Sequence, residues 1–202
     1  MAVSLLASLT AAATIPANSS GASIIQQIAP ASASCAAGNT ECRTAKQAAP
    51  YIFQSFAKYG LDSANQKAAV ISLMAYESDN FVYKTNQYPG RPGQGTANMQ
   101  MASFNLMYAK SIKATSGAVA EVSSVDGLSD TELDYIIGLV TVDKYNFGSG
   151  AWFLKTQCGN DVMSQLASDV DQGFQAYMSC VGVEASSDRL EYLDRAKTAF
   201  GI

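Results

Sequence analysis

"ANQKAAVISLMAYE", residues 64–77, decides how this chain folds. Its alanines, with Leu73 and Met74, favour helix. Ser63, with Gln66 three residues on, has the form of a capping box, in which each residue's side chain satisfies a free backbone N–H of the other. Between Lys67 and Glu77 the run carries no charge, so it marks out no solvent-facing side. The pattern predicts a central apolar helix over 63–77 that ends on a carboxylate, Glu77.

Towards the N-terminus, Pro50 suits a helix's first turn, and "YIFQSFAKYG" places Ile52, Phe53 and Phe56 at helical spacing before Gly60, which suits a left-handed C-cap. A helix over 51–59 is expected. In the other direction, "SDNFVYKTNQYPGRPGQGTAN" (78–98) holds two prolines and three glycines and reads as a long ordered loop, a type of segment that often carries function. "ASFNLMYAKSIK" (102–113) returns to helix. Ser129 and Glu132 form a second capping box before "LDYIIGLVTV" (133–142), where Leu133, Ile136, Ile137 and Val140 share a face. Further helices are expected over 148–157, 161–181 with a break near Ser168, and 187–200. Strand alternation is scarce and no solenoid repeat appears. The fold class is therefore mostly α, with helices packed around 63–77.

The 202 residues, 48% hydrophobic, suffice for one domain. Residues 1–13 read as a candidate signal peptide, 14–34 as a charge-free lead-in or propeptide expected to be poorly ordered, and 35–202 as the folded unit. Asn18 opens a glycosylation sequon. Cys35, Cys42, Cys158 and Cys180 fit no close-set metal motif, so an oxidised framework is expected; of its three pairings, Cys35–Cys42 with Cys158–Cys180 gives two local loops and is preferred. Together these features predict a secreted, extracellular protein. No later segment has the ~18 continuous apolar residues of a membrane span, so no membrane partner is expected, and a monomer is assumed.

A net charge of −4, with no clustered Lys or Arg, argues against a nucleic-acid partner. The chain contains no histidine, which removes Ser/His/Asp and Cys/His catalysis and most zinc sites. Acid–base chemistry would fall to carboxylates. Val70, Leu73 and Met74 lie on the side of Glu77, and the carboxylate sits at the negative end of its helix. Both surroundings disfavour charge, so a half-buried, protonated general acid is expected. "GRPGQG" is not a phosphate loop, since no Lys-Ser/Thr follows it and no strand precedes it. Trp152, the sole tryptophan, reads as core.

Three short motifs extend the reading: Glu77-Ser78 at a helix end, Met99-Gln100 in "TANMQM" (96–101), and Tyr145-Asn146 in "DKYNFGSGAW" (143–152). Their order resembles goose-type lysozymes and soluble lytic transglycosylases, and residues 44–202 as a whole look like secreted fungal muramidases. The resemblance implies a lysozyme-like fold and a cofactor-free, metal-free hydrolase that cuts between N-acetylmuramic acid and N-acetylglucosamine in peptidoglycan glycan strands. On that footing Glu77 matches the catalytic acid, Ser78 supports the local backbone beside substrate, Gln100 lines the sugar cleft, and Tyr145 and Asn146 face the acid. Tyr83, Tyr88 and Arg91 suit sugar stacking and carboxylate binding. The sequence departs from the motif at Ala97, Asn98 and Ala102, which leaves the second carboxylate open. Asp79 is preferred as the base and Asp143 is the other option. Lytic transglycosylation, chitin or chitosan cleavage, and non-catalytic sugar binding stand as alternatives.

Overall fold

The computed structural model describes residues 20–202; the candidate signal peptide and the Asn18 sequon lie outside the described residues. Ten α-helices make up the described chain: α1 (Gly21–Ile28), α2 (Ala45–Tyr59), α3 (Ala64–Glu77), α4 (Ala102–Ser111), α5 (Asp130–Val140), α6 (Asp143–Asn146), α7 (Ser149–Phe153), α8 (Gly159–Ser168), α9 (Val170–Val181) and α10 (Ser187–Phe200). Short 3₁₀ turns at Pro30–Ala33 and Ser116–Val119 and a π-turn at Leu154–Cys158 join them. The β-structure among the described residues is two isolated bridges, Thr85 with Gly95 and Gly95 with Gln100. The protein is mostly α.

Helix α3 is the axis of the molecule. Every residue from Ala68 to Ala75 is buried, and α1, α7, α8, α9 and α10 pack around it. Ser63 and Gln66 close the capping box in both directions, and Gln66 Nε2 also reaches the Met163 carbonyl at 2.9 Å, so one residue caps α3 and ties it to α8. The core has two parts. The larger surrounds α3; the smaller gathers Leu106, Tyr108, Ile136, Ile137, Val140, Trp152 and Phe153 between α4, α5 and α7.

Two expectations change. Helix α2 starts at Ala45, with Thr44 and Gln47 as its own capping box, so Pro50 stands inside the helix and not in its first turn. Its ring interrupts the hydrogen bond to the Lys46 carbonyl. Both residues are exposed, so water can take the freed carbonyl. The second change concerns the lead-in. Residues 21–28 form α1, capped by the Ser20 hydroxyl, and Ile24, Ile25 and Ile28 are buried against α2 and α10. Arg195 Nε donates to the Ile28 carbonyl at 2.9 Å and fixes the helix end. The i, i+1, i+4 isoleucines were its helical signal.

Cys35 is bonded to Cys42, and Cys158 to Cys180. The second bond clips the π-turn to α9 across the smaller core. Helices α8 and α9 meet at Gly173, where a Cβ would fall on the Leu166 backbone, well inside contact distance. Only glycine permits that approach.

Candidate functional site

The site is built where α3 ends. The Ser78 hydroxyl donates to the Met74 carbonyl at 2.6 Å and accepts from the Phe81 N–H at 3.0 Å. This side chain turns the chain through Asp79, Asn80 and Phe81, three successive residues at positive φ. Phe81 then anchors in the core, edge-on to Phe147. The loop that follows is pinned from below. Glu41 accepts from the Lys84 N–H at 2.9 Å and from the Thr85 hydroxyl at 2.6 Å. Asp143 accepts from Lys84 Nζ at 2.6 Å and Arg43 Nε at 2.8 Å. Burial opposes charge on Asp143, but the hydrogen bonds and positive charges of Arg43 and Lys84 outweigh it and hold the carboxyl below its ordinary range. At Gly95 a Cβ would strike the Lys84 carbonyl, so the two arms of the loop close on each other only with glycine there.

Above this anchored loop lies a cleft of about 290 Å³, near the lower end of the roughly 300–1,000 Å³ usual for small-ligand sites. Leu73, Phe104, Phe153, Val181 and Val183 supply its apolar surface. Glu77, Arg91, Gln94, Asn98 and Gln100 supply the polar one. Past Glu77, Gln94 and Met99 the cleft continues into a hollow of about 280 Å³ edged by Tyr83 and Tyr88. Tyr88 is 90% exposed at this rim.

Two amides face a constrained choice of partners. The Asn105 amide nitrogen donates to the carbonyls of Gly93 and Gln100 at 2.8 and 3.1 Å. Its oxygen must therefore accept, and it takes Gln100 Nε2 at 2.8 Å. That network fixes the orientation of Gln100 and leaves its Oε1 buried without a donor. Gln94 is held in the same way: its Nε2 donates to the Met99 carbonyl at 3.0 Å, and its Oε1 has no donor. Buried acceptors in this state are costly. Both residues line the cleft, and a small turn of either side chain would bring its sealed oxygen to a ligand carrying O–H or N–H groups.

Glu77 differs from expectation. Its Oε1 accepts from Arg189 Nη2 at 2.9 Å, the two side chains being 21% and 15% exposed. The guanidinium also lies 4.6 Å over the Tyr76 ring. The helix end does lie in a partly apolar place, but α10 brings a cation to it, and the pair is a charge-assisted hydrogen bond between carboxylate and guanidinium. Tyr177, beneath, is fully buried with an unpartnered hydroxyl; burial, and secondarily the charge of Glu77, raise its phenol far above the ordinary value, so it stays neutral.

Glu77, Tyr83, Tyr88, Arg91 and Gln100 thus come to one continuous cleft. Others do not. Ser78 is fully buried, with both its hydrogen bonds made to its own chain. Asp79 is exposed and outside the cleft, accepting from Asn80 Nδ2 at 3.2 Å. Asp143 is committed to Arg43 and Lys84. Tyr145 lines a different hollow, with Tyr51, Tyr59 and Tyr108, and Asn146 is buried with its Oδ1 unpartnered. Sequence reasoning missed Arg189, Gln94, Phe104, Phe153 and Val181–Val183. The first is 112 residues from its partner, and no local pattern announces such a contact.

No family model matches the chain, and no solved structure matches it. Over 157 residues, 77% of this chain, it is 57% identical to a protein of Fusarium oxysporum (strain Fo5176) named bifunctional dioxygenase–epoxy alcohol synthase. The chain spans 12% of that relative's length. The name describes an enzyme of oxygen chemistry, not a glycosidase.

This overturns the lysozyme resemblance and what it implied. A muramidase, or hydrolase of cell-wall peptidoglycan, is not supported by a relative so named at this identity, and glycan strands lose their standing as partner. The Glu77–Arg189 pair removes the physical premise as well, because the expected acid rested on a lone, protonated carboxyl. Dioxygenase chemistry ordinarily draws on a metal or organic cofactor. This chain has no histidine, its four cysteines are bonded in pairs, and among the described residues no group of three His, Cys, Asp or Glu is placed to hold a metal ion. These residues do not fit an oxygen-activating metal centre.

Proposed function

We propose that this chain is a ligand-binding domain serving an oxygenase-type enzyme, and that its cleft holds an oxygenated aliphatic molecule of the epoxy alcohol kind. One observation carries the reading: Gln94 and Gln100, whose Oε1 atoms are buried and unpartnered, line a cleft otherwise walled by Leu73, Phe104, Phe153, Val181 and Val183. An alkyl chain suits the apolar wall, a hydroxyl suits the amide oxygens, and an epoxide oxygen suits the Arg91 guanidinium. Arg91 is exposed at the mouth and makes no ion pair among the described residues. The relative's name supports the chemical class. Oxygen chemistry itself would belong to other parts of such an enzyme. An oxidising, extracellular compartment is proposed with it, supported by the pairing of all four cysteines.

Calorimetric titration with an aliphatic epoxy alcohol of about eight to ten carbons, a length suited to a cleft of this class, tests the proposal against its O-methyl ether, which lacks the donor. The free alcohol should bind roughly two- to tenfold more tightly, the worth of one hydrogen bond. Gln100→Leu and Gln94→Leu should each reduce that preference. Equal binding of alcohol and ether, or binding of neither, would refute the reading.

A further inference from the structure

A second hollow, of about 320 Å³, lies away from the α3 cleft, between α2, α4 and α6. Its floor is built. Tyr108, almost fully buried, donates its hydroxyl to the Tyr145 carbonyl at 3.0 Å, and a Cβ on Gly148 would come within 2.8 Å of the Tyr108 hydroxyl oxygen. Glycine here lets the phenol lie against the backbone. Half-buried Tyr51, Tyr59 and Tyr145 form the walls.

Two ammonium groups stand over this aromatic cup. Lys58 Nζ lies 4.8 Å from the Tyr59 ring centre and Lys144 Nζ 5.9 Å from that of Tyr145. Neither makes an ion pair among the described residues, and no carboxylate belongs to the lining. In a chain of net charge −4, a carboxylate-free hollow with two unpaired lysines is a local positive site. Phenol faces accept a flat ring by offset or edge-on stacking, and the ammonium groups at the lip meet a negative group at the ring's edge.

We propose that this hollow is a binding site for a small planar aromatic anion, an aryl carboxylate, separate from the α3 cleft. The ring lies among Tyr51, Tyr59 and Tyr145, and the carboxylate faces Lys58 and Lys144. A volume of about 320 Å³ lies at the lower end of the roughly 300–1,000 Å³ usual for small-ligand sites, room for one substituted ring.

Trp152 provides the reporter. It is the sole tryptophan, and its ring centre is 4.7 Å from that of Tyr108, the floor of the site. Benzoate added to the full chain should change Trp152 fluorescence saturably. Cyclohexanecarboxylate, which keeps the charge and loses the flat ring, should bind roughly threefold more weakly or worse. Benzyl alcohol, which keeps the ring and loses the charge, should also bind more weakly, and raised salt should weaken benzoate. Replacing both exposed lysines, Lys58→Met with Lys144→Met, should cost roughly tenfold in benzoate affinity. Chemical-shift changes should centre on Tyr51, Tyr59, Tyr145 and Gly148. The proposal is overturned if benzoate gives no saturable response, if either control or inorganic phosphate binds as tightly, if the double variant binds as well as the parent, or if the shifts map to the α3 cleft.

Discussion

Replacing Arg189 by methionine tests the central contact of the site. Arg189→Met keeps most of the side chain's volume and removes its charge. With charge centres about 4 Å apart and an effective dielectric near 20, the attraction between Arg189 and Glu77 is about 4 kcal/mol. Desolvation of both groups offsets a large share of this. Fully exposed pairs are worth roughly 0–1 kcal/mol, and breaking a fully buried one costs roughly 3–5. Side chains that are 15% and 21% exposed fall between those limits, and the lost stacking on Tyr76 adds about 0.5 kcal/mol. The expected destabilisation is about 2 kcal/mol. For a chain of this size that lowers Tm by about 4–8 °C. The assay is denaturant or thermal unfolding of four proteins: parent, Arg189→Met, Glu77→Gln and the double variant. A coupling of about 1–2 kcal/mol is expected from the cycle. Coupling below about 0.3 kcal/mol would refute the claim that Glu77 is held as a paired carboxylate.

Two further predictions concern the frame around the site. Asp143 has its carboxyl held below the ordinary value of 3.8 by Arg43 and Lys84, so between its folded value and 3.8 the unfolded chain binds more protons. The stabilisation is complete above that ordinary value and is lost as pH falls through the folded one. Acid titration of stability should therefore be flatter in that window for Asp143→Asn, which should also be less stable than the parent at neutral pH; an unchanged acid limb would contradict the anchoring role. Gly173→Ala forces a Cβ onto the Leu166 backbone, which cannot move aside as a flexible side chain would. A loss of about 1–3 kcal/mol in chemical unfolding is expected, and a neutral substitution would show that α8 and α9 are not in such close contact.

The helical class was legible because its signals are local. Capping boxes at Ser63/Gln66 and Ser129/Glu132 and the uncharged run of α3 are short-range patterns with direct backbone consequences. So was the long loop after Glu77, since prolines and glycines exclude regular structure wherever they cluster. Misreadings arose where a local signal had a distant cause. The charge-free segment before Cys35 looked like a disordered leader, yet its isoleucines are buried by α2 and α10. Pro50 looked like a helix start, yet Thr44 caps the helix six residues earlier.

Glu77 and Arg91 were candidate site residues from the end of one helix and the loop leaving it, whereas Gln100 was named only through the motif resemblance. The ion pair of Glu77 was not readable there. A carboxylate's partner is set by what lies within a few ångströms, and for Glu77 that is Arg189, supplied by α10. The same holds for Asp143, whose partners come from two other segments. Local sequence therefore decides which stretches become helix and where the chain must turn, because those choices rest on backbone hydrogen bonds between near neighbours. Packing alone decides which charges meet, which amide oxygens are left wanting a donor, and which tyrosines share a hollow, because through-space electrostatics and shape take no account of separation along the chain.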